Sequence, residues 1–253
     1  MYIKFSERAG EQKLVRDFLI SNPCSISVFE NYGINYSCSG NKILKEVCSQ
    51  NGVDVNKVYL QLIDSSKETN PEMEKFYKWD LRTLITHLIE SHETEIKIPA
   101  FSISKKIDNL INSYGRNYKE LKEIELIFSE MLRDILNHIG NEEKFLFHVI
   151  RYLIDCKKFN EKPRVGGFKT VKNPLSKMES DHTKIDANLL KIKLLRKELE
   201  IKKDLPSEIK DLCNEINEFD KNYQFHLHLE NNILFPKSID LENELLNNDF
   251  KGD

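Results

Sequence analysis

A histidine and a glutamate one helical turn apart occur twice on apolar stripes of this chain, and such a pair can hold a metal ion. In the run LCNEINEFDKNYQFHLHLENNILFP, the positions Leu212, Ile216, Phe219, Tyr223, His226, Glu230 and Ile233 recur at three- and four-residue spacing. One imidazole and one carboxylate thus interrupt an otherwise apolar helical face. Burying a lone carboxylate costs far more than one hydrogen bond returns, so a cation between His226 and Glu230 is the natural compensation. One such pair also suits a surface ion pair, but the device recurs. The run IELIFSEMLRDILNHIGNEEKFLFHVI sets Ile124, Phe128, Met131, Ile135, His138, Glu142, Phe145 and Val149 on one face. Two further stripes carry one histidine each: Leu81, Ile85, Leu88, His92 and Ile96, then Met178, His182, Ile185, Leu189 and Ile192. Four amphipathic helices therefore offer four imidazoles and two carboxylates to one core. On the first helix, His87 and Glu93 remain alternatives to His92.

The spacing between these residues specifies the elements that must carry them. In an antiparallel hairpin, residues equidistant from the turn lie at one height. The midpoint between His92 and His138 is Gly115, inside the breaker cluster Tyr114-Gly115-Arg116-Asn117. The midpoint between His182 and His226 is Asp204, just ahead of Leu205-Pro206-Ser207, a helix stop followed by a fresh start. Both pairs come out level, which alternation of core residues alone does not require. The expectation is an all-α chain with an up-down-up-down four-helix bundle.

Nitrogen and oxygen donors with no ligand-spaced thiols point to iron, with manganese or zinc behind it. Two carboxylates from facing helices can each bridge a pair of ions while two histidines complete each ion. Two ferrous ions with two carboxylates and neutral imidazoles carry about +2 net charge, which an oxide or hydroxide bridge reduces. An open coordination position can take oxygen or nitric oxide, or let an iron leave. Asp134, one turn before His138, and Asp181, beside His182, are candidates to orient imidazoles. His228 and His148 are expected at the surface or in packing.

The rest of the chain supplies context. Residues 1–63 are expected to form a small module of three short helices, from spacings such as Leu14, Phe18, Leu19, then Ile43, Leu44, Val47, then Val58, Leu60, Leu62; residues 64–75 to be a linker; and residues 76–243 to be the bundle. Cys38, in a turn-rich loop ahead of a helix start near Lys42, is the candidate catalytic thiol, activated by that helix N-terminus; a half-buried packing thiol is the equal alternative. The stretch around Gly166-Gly167 is expected to be a solvated connector rather than a phosphate loop. A net charge of −3 provides no basic excess for nucleic acid. No apolar run approaches a membrane span and no signal-peptide core opens the chain, so the expected location is cytoplasmic, away from membranes. Five cysteines without a CxxC suit reduced thiols.

The pairs His138/Glu142 and His226/Glu230, the MESDH run around His182 and the ending HLHLENNILFP resemble the hemerythrin-type domain of the iron-sulfur cluster repair di-iron family (RIC, YtfE/ScdA-like). FENYGINYSCSGNKILKEVC resembles that family's small N-terminal domain, so the likeness spans nearly the whole chain. The resemblance implies two non-haem irons, oxo- or hydroxo-bridged, ligated by His92, His138, Glu142, His182, His226 and Glu230, with both glutamates bridging. It implies repair of iron-sulfur clusters after nitrosative or oxidative damage by iron donation or nitric oxide handling, with damaged iron-sulfur proteins as partners. Whether the centre also turns over nitric oxide as a reductase stays open, and a homodimer is compatible. The alternative is a hemerythrin-like protein that binds O2 or NO reversibly for sensing or storage. Two departures stand out: the family's adjacent cysteines are replaced here by Ser37-Cys38-Ser39-Gly40, and its first-ligand histidine pair by His92-Glu93.

Overall fold

The computed structural model describes residues 10–68, 70–164 and 170–247. Among them no strand forms beyond one isolated antiparallel bridge between Leu14 and Ile43. The described residues cluster into two units, one running up to Leu84 together with Leu227–Lys237, the other comprising Ile85–His226 and the chain from Ser238 on.

Among the described residues the first unit includes α1 (Val15–Ser21), α2 (Ser25–Asn31), α3 (Leu44–Gln50) and α4 (Val55–Ser65), where three short helices were expected. Helices this short are marginal alone and depend on packing. Their buried faces are Val15 and Leu19, Phe29, Leu44 and Val47, and Val58 with Leu62. Leu60 lies on the far side of α4 and is 55% exposed, because Val58 and Leu62 already define the buried face. The Leu14–Ile43 bridge joins two helix starts: Val15 N–H donates to Lys42 O at 3.0 Å and Leu44 N–H to Lys13 O at 2.9 Å. These bonds satisfy first-turn amides that a helix leaves without internal acceptors. Asp54 caps α4 through Asn56 N–H at 2.9 Å. A fifth helix, α5 (Pro71–Lys78), starts with Asn70 as cap and proline in its first turn, where a missing N–H costs nothing.

Four long helices build the bundle. Helix α6 comprises Leu81–Ser91, a π-helical turn His92–Lys97 and Ile98–Tyr114; α7 comprises Glu120–Asn141, a π turn Glu142–Leu146 and Phe147–Phe159. Helix α8 is Lys172–Glu200, and α9 comprises Ser207–Leu229, a π turn Glu230–Leu234 and Phe235–Asn247. The turns fall where the midpoints put them: α6 ends at Tyr114 with Gly115 as its cap, and Asp204 lies between α8 and α9 in the left-handed region, at φ 58°. Gly166 and Gly167, on the expected connector, lie outside the described residues.

The entry to α8 is fixed from α9. Glu242, 5% exposed, accepts from Val171 N–H at 2.7 Å and from Thr170 Oγ1 at 2.5 Å, placing a carboxylate on the positive end of α8. Removing it leaves a buried amide unmet, so Glu242→Ala is expected to cost about 1–3 kcal/mol, read as a lower denaturant midpoint with an unchanged slope.

Candidate metal centre

Three of the six expected donors open a π turn: His92, Glu142 and Glu230. A π turn inserts one residue into an α-helix and is frequent at functional sites. It also advances the buried face by one place. The stripe on α7 put Phe145 inside; instead Phe145 is 62% exposed, while Leu146 and Phe147 are fully buried. The other stripe residues of α7, and those of α8 and α9, are buried as expected.

The donors converge. His92, Glu142, His226 and Glu230 each present one ligand atom, all within 4.8 Å of one another; His138, His182 and Glu230 do the same. Glu230, one turn beyond His226 on α9, belongs to both groups. All six residues are at most 2% exposed. His92 Nε2 lies 3.2 Å from Glu142 Oε2, and His138 Nε2 lies 3.2 Å from His182 Nε2 and 3.9 Å from Glu142 Oε2.

Hydrogen bonds behind the rings set the tautomers. His92 Nδ1–H donates to Glu143 Oε1 at 2.8 Å. Ser91 Oγ donates to Leu88 O at 3.0 Å, so it accepts from His226 Nδ1–H at 2.9 Å. Each ring therefore turns Nε2, not Nδ1, toward the converging donors. A lone pair 3.2 Å from a carboxylate oxygen, and two Nε2 atoms 3.2 Å apart, need a proton or a cation between them. The donor chemistry, imidazole and carboxylate without thiolate, suits iron.

Ser91 and Glu143 escaped the sequence reading. Glu143 directly follows Glu142, where an ordinary helix turns it about 100° away; the π turn is what lets both neighbours face the converging donors. Of the two candidate acids, Asp134 pairs with Lys184 at 2.8 Å, whereas Asp181 approaches His138 Nδ1 at 4.0 Å while pairing with Lys177 at 2.6 Å. Because a carboxylate behind a ligating histidine fixes its orientation and basicity, Glu143→Ala is expected to weaken metal affinity by about 10–100-fold, with Glu143→Gln recovering part. Competition against a calibrated ferrous chelator measures both.

Neither donor group contains His87 or Glu93. His87 is half-buried, and Glu93 is exposed beside Lys97 at 3.5 Å. His148 is exposed, with Nδ1 3.2 Å from Glu143 O. His228 is fully buried, held between Tyr77 Oη at 2.8 Å and Asn232 Nδ2 at 3.0 Å. Burial pushes its pKa down to about 3, keeping it neutral, and pushes the Tyr77 hydroxyl up. Cys38 is half-buried; its N–H donates to Asn35 Oδ1 at 3.1 Å, and Asn231 Nδ2 points at Sγ from 3.7 Å. Helix α3 starts at Leu44, later than the expected start near Lys42. The Asn231 amide faces the sulfur, and the Ser37 hydroxyl lies 3.8 Å from it.

Comparison with known proteins agrees with this geometry. Residues 101–238 match the family described as Hemerythrin HHE cation binding domain, and residues 11–66 match ScdA_N, Domain of Unknown function (DUF542). The "Probable iron-sulfur cluster repair protein" of Haemophilus influenzae is 24% identical over 234 residues, covering 90% of this chain and 96% of that protein. Iron-sulfur cluster repair protein YtfE of Dickeya chrysanthemi is 24% identical over 229 residues, covering 88% and 95%, and that of Yersinia pseudotuberculosis is 22% identical over 221 residues, covering 87% and 93%. The chain belongs to the hemerythrin HHE cation-binding family, and within it to the YtfE/ScdA-like proteins that carry an ScdA N-terminal domain ahead of the bundle.

Proposed function

We propose that this chain is a non-haem di-iron protein that restores iron-sulfur clusters damaged by nitrosative or oxidative stress, by donating iron or by handling nitric oxide. The observation that carries the proposal is the sharing of buried Glu230 between two converging donor groups. A carboxylate common to both is what a bridged pair of ions requires. The names of the relatives support the repair role, with damaged iron-sulfur proteins as the clients.

On this proposal His92, His226 and Glu142 would help hold one iron and His138 and His182 the other, with Glu230 common to both donor groups. Iron bound there would supply Lewis acidity and one-electron redox chemistry for a small ligand such as O2 or NO. The protein's own contribution is positional. Glu143 and Ser91 hold the Nδ1 side of His92 and His226 so that Nε2 is directed inward, and fully buried Leu88, Ile135 and Phe147 on the helices carrying the donors limit access of bulk water. The donors and their supports fall within the proposed 76–243 bundle, joined through 64–75 to a 1–63 module that carries Cys38 as the candidate reactive thiol.

Full burial of all six donors favours a second reading, a carrier that binds O2 or NO reversibly and keeps its iron. One experiment separates the two. Ferrous-loaded protein is incubated with a nitric-oxide-damaged cluster enzyme, following client activity and the distribution of radiolabelled iron. Recovered activity with label in the client, or with nitric oxide consumed, supports repair. A stable reversible adduct with no transfer and no recovery supports the carrier and defeats the proposal.

A further inference from the structure

The loop 35–40 and the π turn Glu230–Leu234 lie in one compact unit, and side-chain amides stitch them together. Asn232, 3% exposed, directs Nδ2 at Tyr36 O (3.3 Å), Ser37 O (3.4 Å) and His228 Nδ1 (3.0 Å). Asn231 directs Nδ2 at Ser37 O (3.2 Å) and Cys38 Sγ. With His228 Nδ1 accepting from Asn232, its Nε2–H donates to Tyr77 Oη. Lys237 Nζ closes the far end on Tyr77 O at 3.0 Å and on Trp79 O at 2.5 Å. On the loop side, Gly40 O accepts from Arg16 N–H at 3.1 Å, which ties the loop to α1. A Cβ at Gly40 would overlap the Asn232 side-chain amide, so the two surfaces meet at backbone range. Of the residues in this turn the metal reading uses only Glu230.

Glu230, Asn231 and Asn232 are consecutive. Anchoring the two amides fixes the backbone that sets where the Glu230 carboxylate points, in a turn whose hydrogen bonds are less regular than those of an α-helix. We infer that loop 35–40 is a clamp on the Glu230 turn, with Asn231 and Asn232 as positioning residues, so that the N-terminal module governs how tightly the metal centre retains its ions. This rests on the metal centre proposed above. Coupling of this kind is reciprocal: if the docked loop favours bound metal, bound metal favours the docked loop.

The test uses full-length protein loaded with ferrous iron, with the rate of iron loss to excess chelator as one readout and hydrogen exchange at residues 36–40 as the other. Asn232→Ala is expected to release iron on the order of tenfold faster, as is Gly40→Ala, which pushes the same amide aside. In the double variant Gly40→Ala is expected to add nothing, because alanine at 232 vacates the space the new Cβ needs. In the wild-type chain, exchange at 36–40 is expected to be slower with iron than without, and Asn232→Ala should abolish that difference. If Asn232→Ala does not fold, Asn231→Ala puts the same question to the same loop. Unchanged release from a folded variant, fully additive effects of the two substitutions, or iron-independent exchange at 36–40 overturns the clamp while leaving the metal centre standing. A wild-type chain that binds no iron overturns the metal centre and the clamp with it.

Discussion

Glu230→Gln is expected to lower the iron content from about two ions per chain to well below one, the largest effect of any single substitution. Glu230 is the one residue present in both donor groups, so neither keeps a full set without it. An amide of the same shape keeps the packing but offers a weaker ligand and no charge. His182→Ala, by contrast, takes one donor from one group and is expected to leave about one ion per chain. The metal-free protein should respond in the opposite direction. A buried carboxylate facing imidazoles and a second buried carboxylate is costly when no cation compensates it, so apo Glu230→Gln should be at least as stable as the apo wild type. Colorimetric iron analysis and parallel melting curves check both statements. A variant that still holds two ions would remove Glu230 from the proposed ligand set.

Stripping iron from the wild-type chain is expected to lower Tm by about 10 °C. A site occupied at a thousandfold over its dissociation constant stabilises the fold by about 4 kcal/mol, and in a domain of this size each kcal/mol moves Tm by about 2–4 °C. The loss should be largest in hydrogen-exchange protection around the three π turns, because they carry His92, Glu142 and Glu230. Adding ferrous iron back should restore the melting curve, whereas magnesium, which prefers oxygen ligands and keeps its waters, should not. Identical curves with and without iron would mean that the six residues are a hydrogen-bonded core and nothing more.

Much of this was legible before any coordinates. Helical periodicity marks a face, and a polar side chain on an otherwise apolar face declares itself because burial without a partner is so unfavourable. That is why His138 with Glu142, and His226 with Glu230, could be picked out, and why Gly115 and Asp204 could be named as turns from the level of the histidines. The residue types also carried the metal chemistry, since imidazole and carboxylate without thiolate narrow the choice of ion.

What the letters could not carry was register and depth. Each π turn adds one residue between two regular stretches, and over four or five residues a one-place shift is indistinguishable from ordinary drift of a stripe. Phe145 was therefore expected inside, and Leu146 took its place. The same extra residue lets Glu142 and its neighbour Glu143 both serve the centre, one as a converging donor and one behind His92. On the first helix His92 fits the stripe best, with His87 and Glu93 as alternatives, and the surrounding chain places His92 fully inside, His87 half-buried and Glu93 in solvent. The spacing puts His228 either at the surface or in packing, because it faces away from the paired donors; that face is covered by segments distant in sequence, Tyr77 among them, which makes it a packing histidine. Local spacing thus determined which side chains can do chemistry and at what height they stand. Only the tertiary structure decided which of their neighbours orient them, because those contacts join residues dozens to nearly two hundred positions apart.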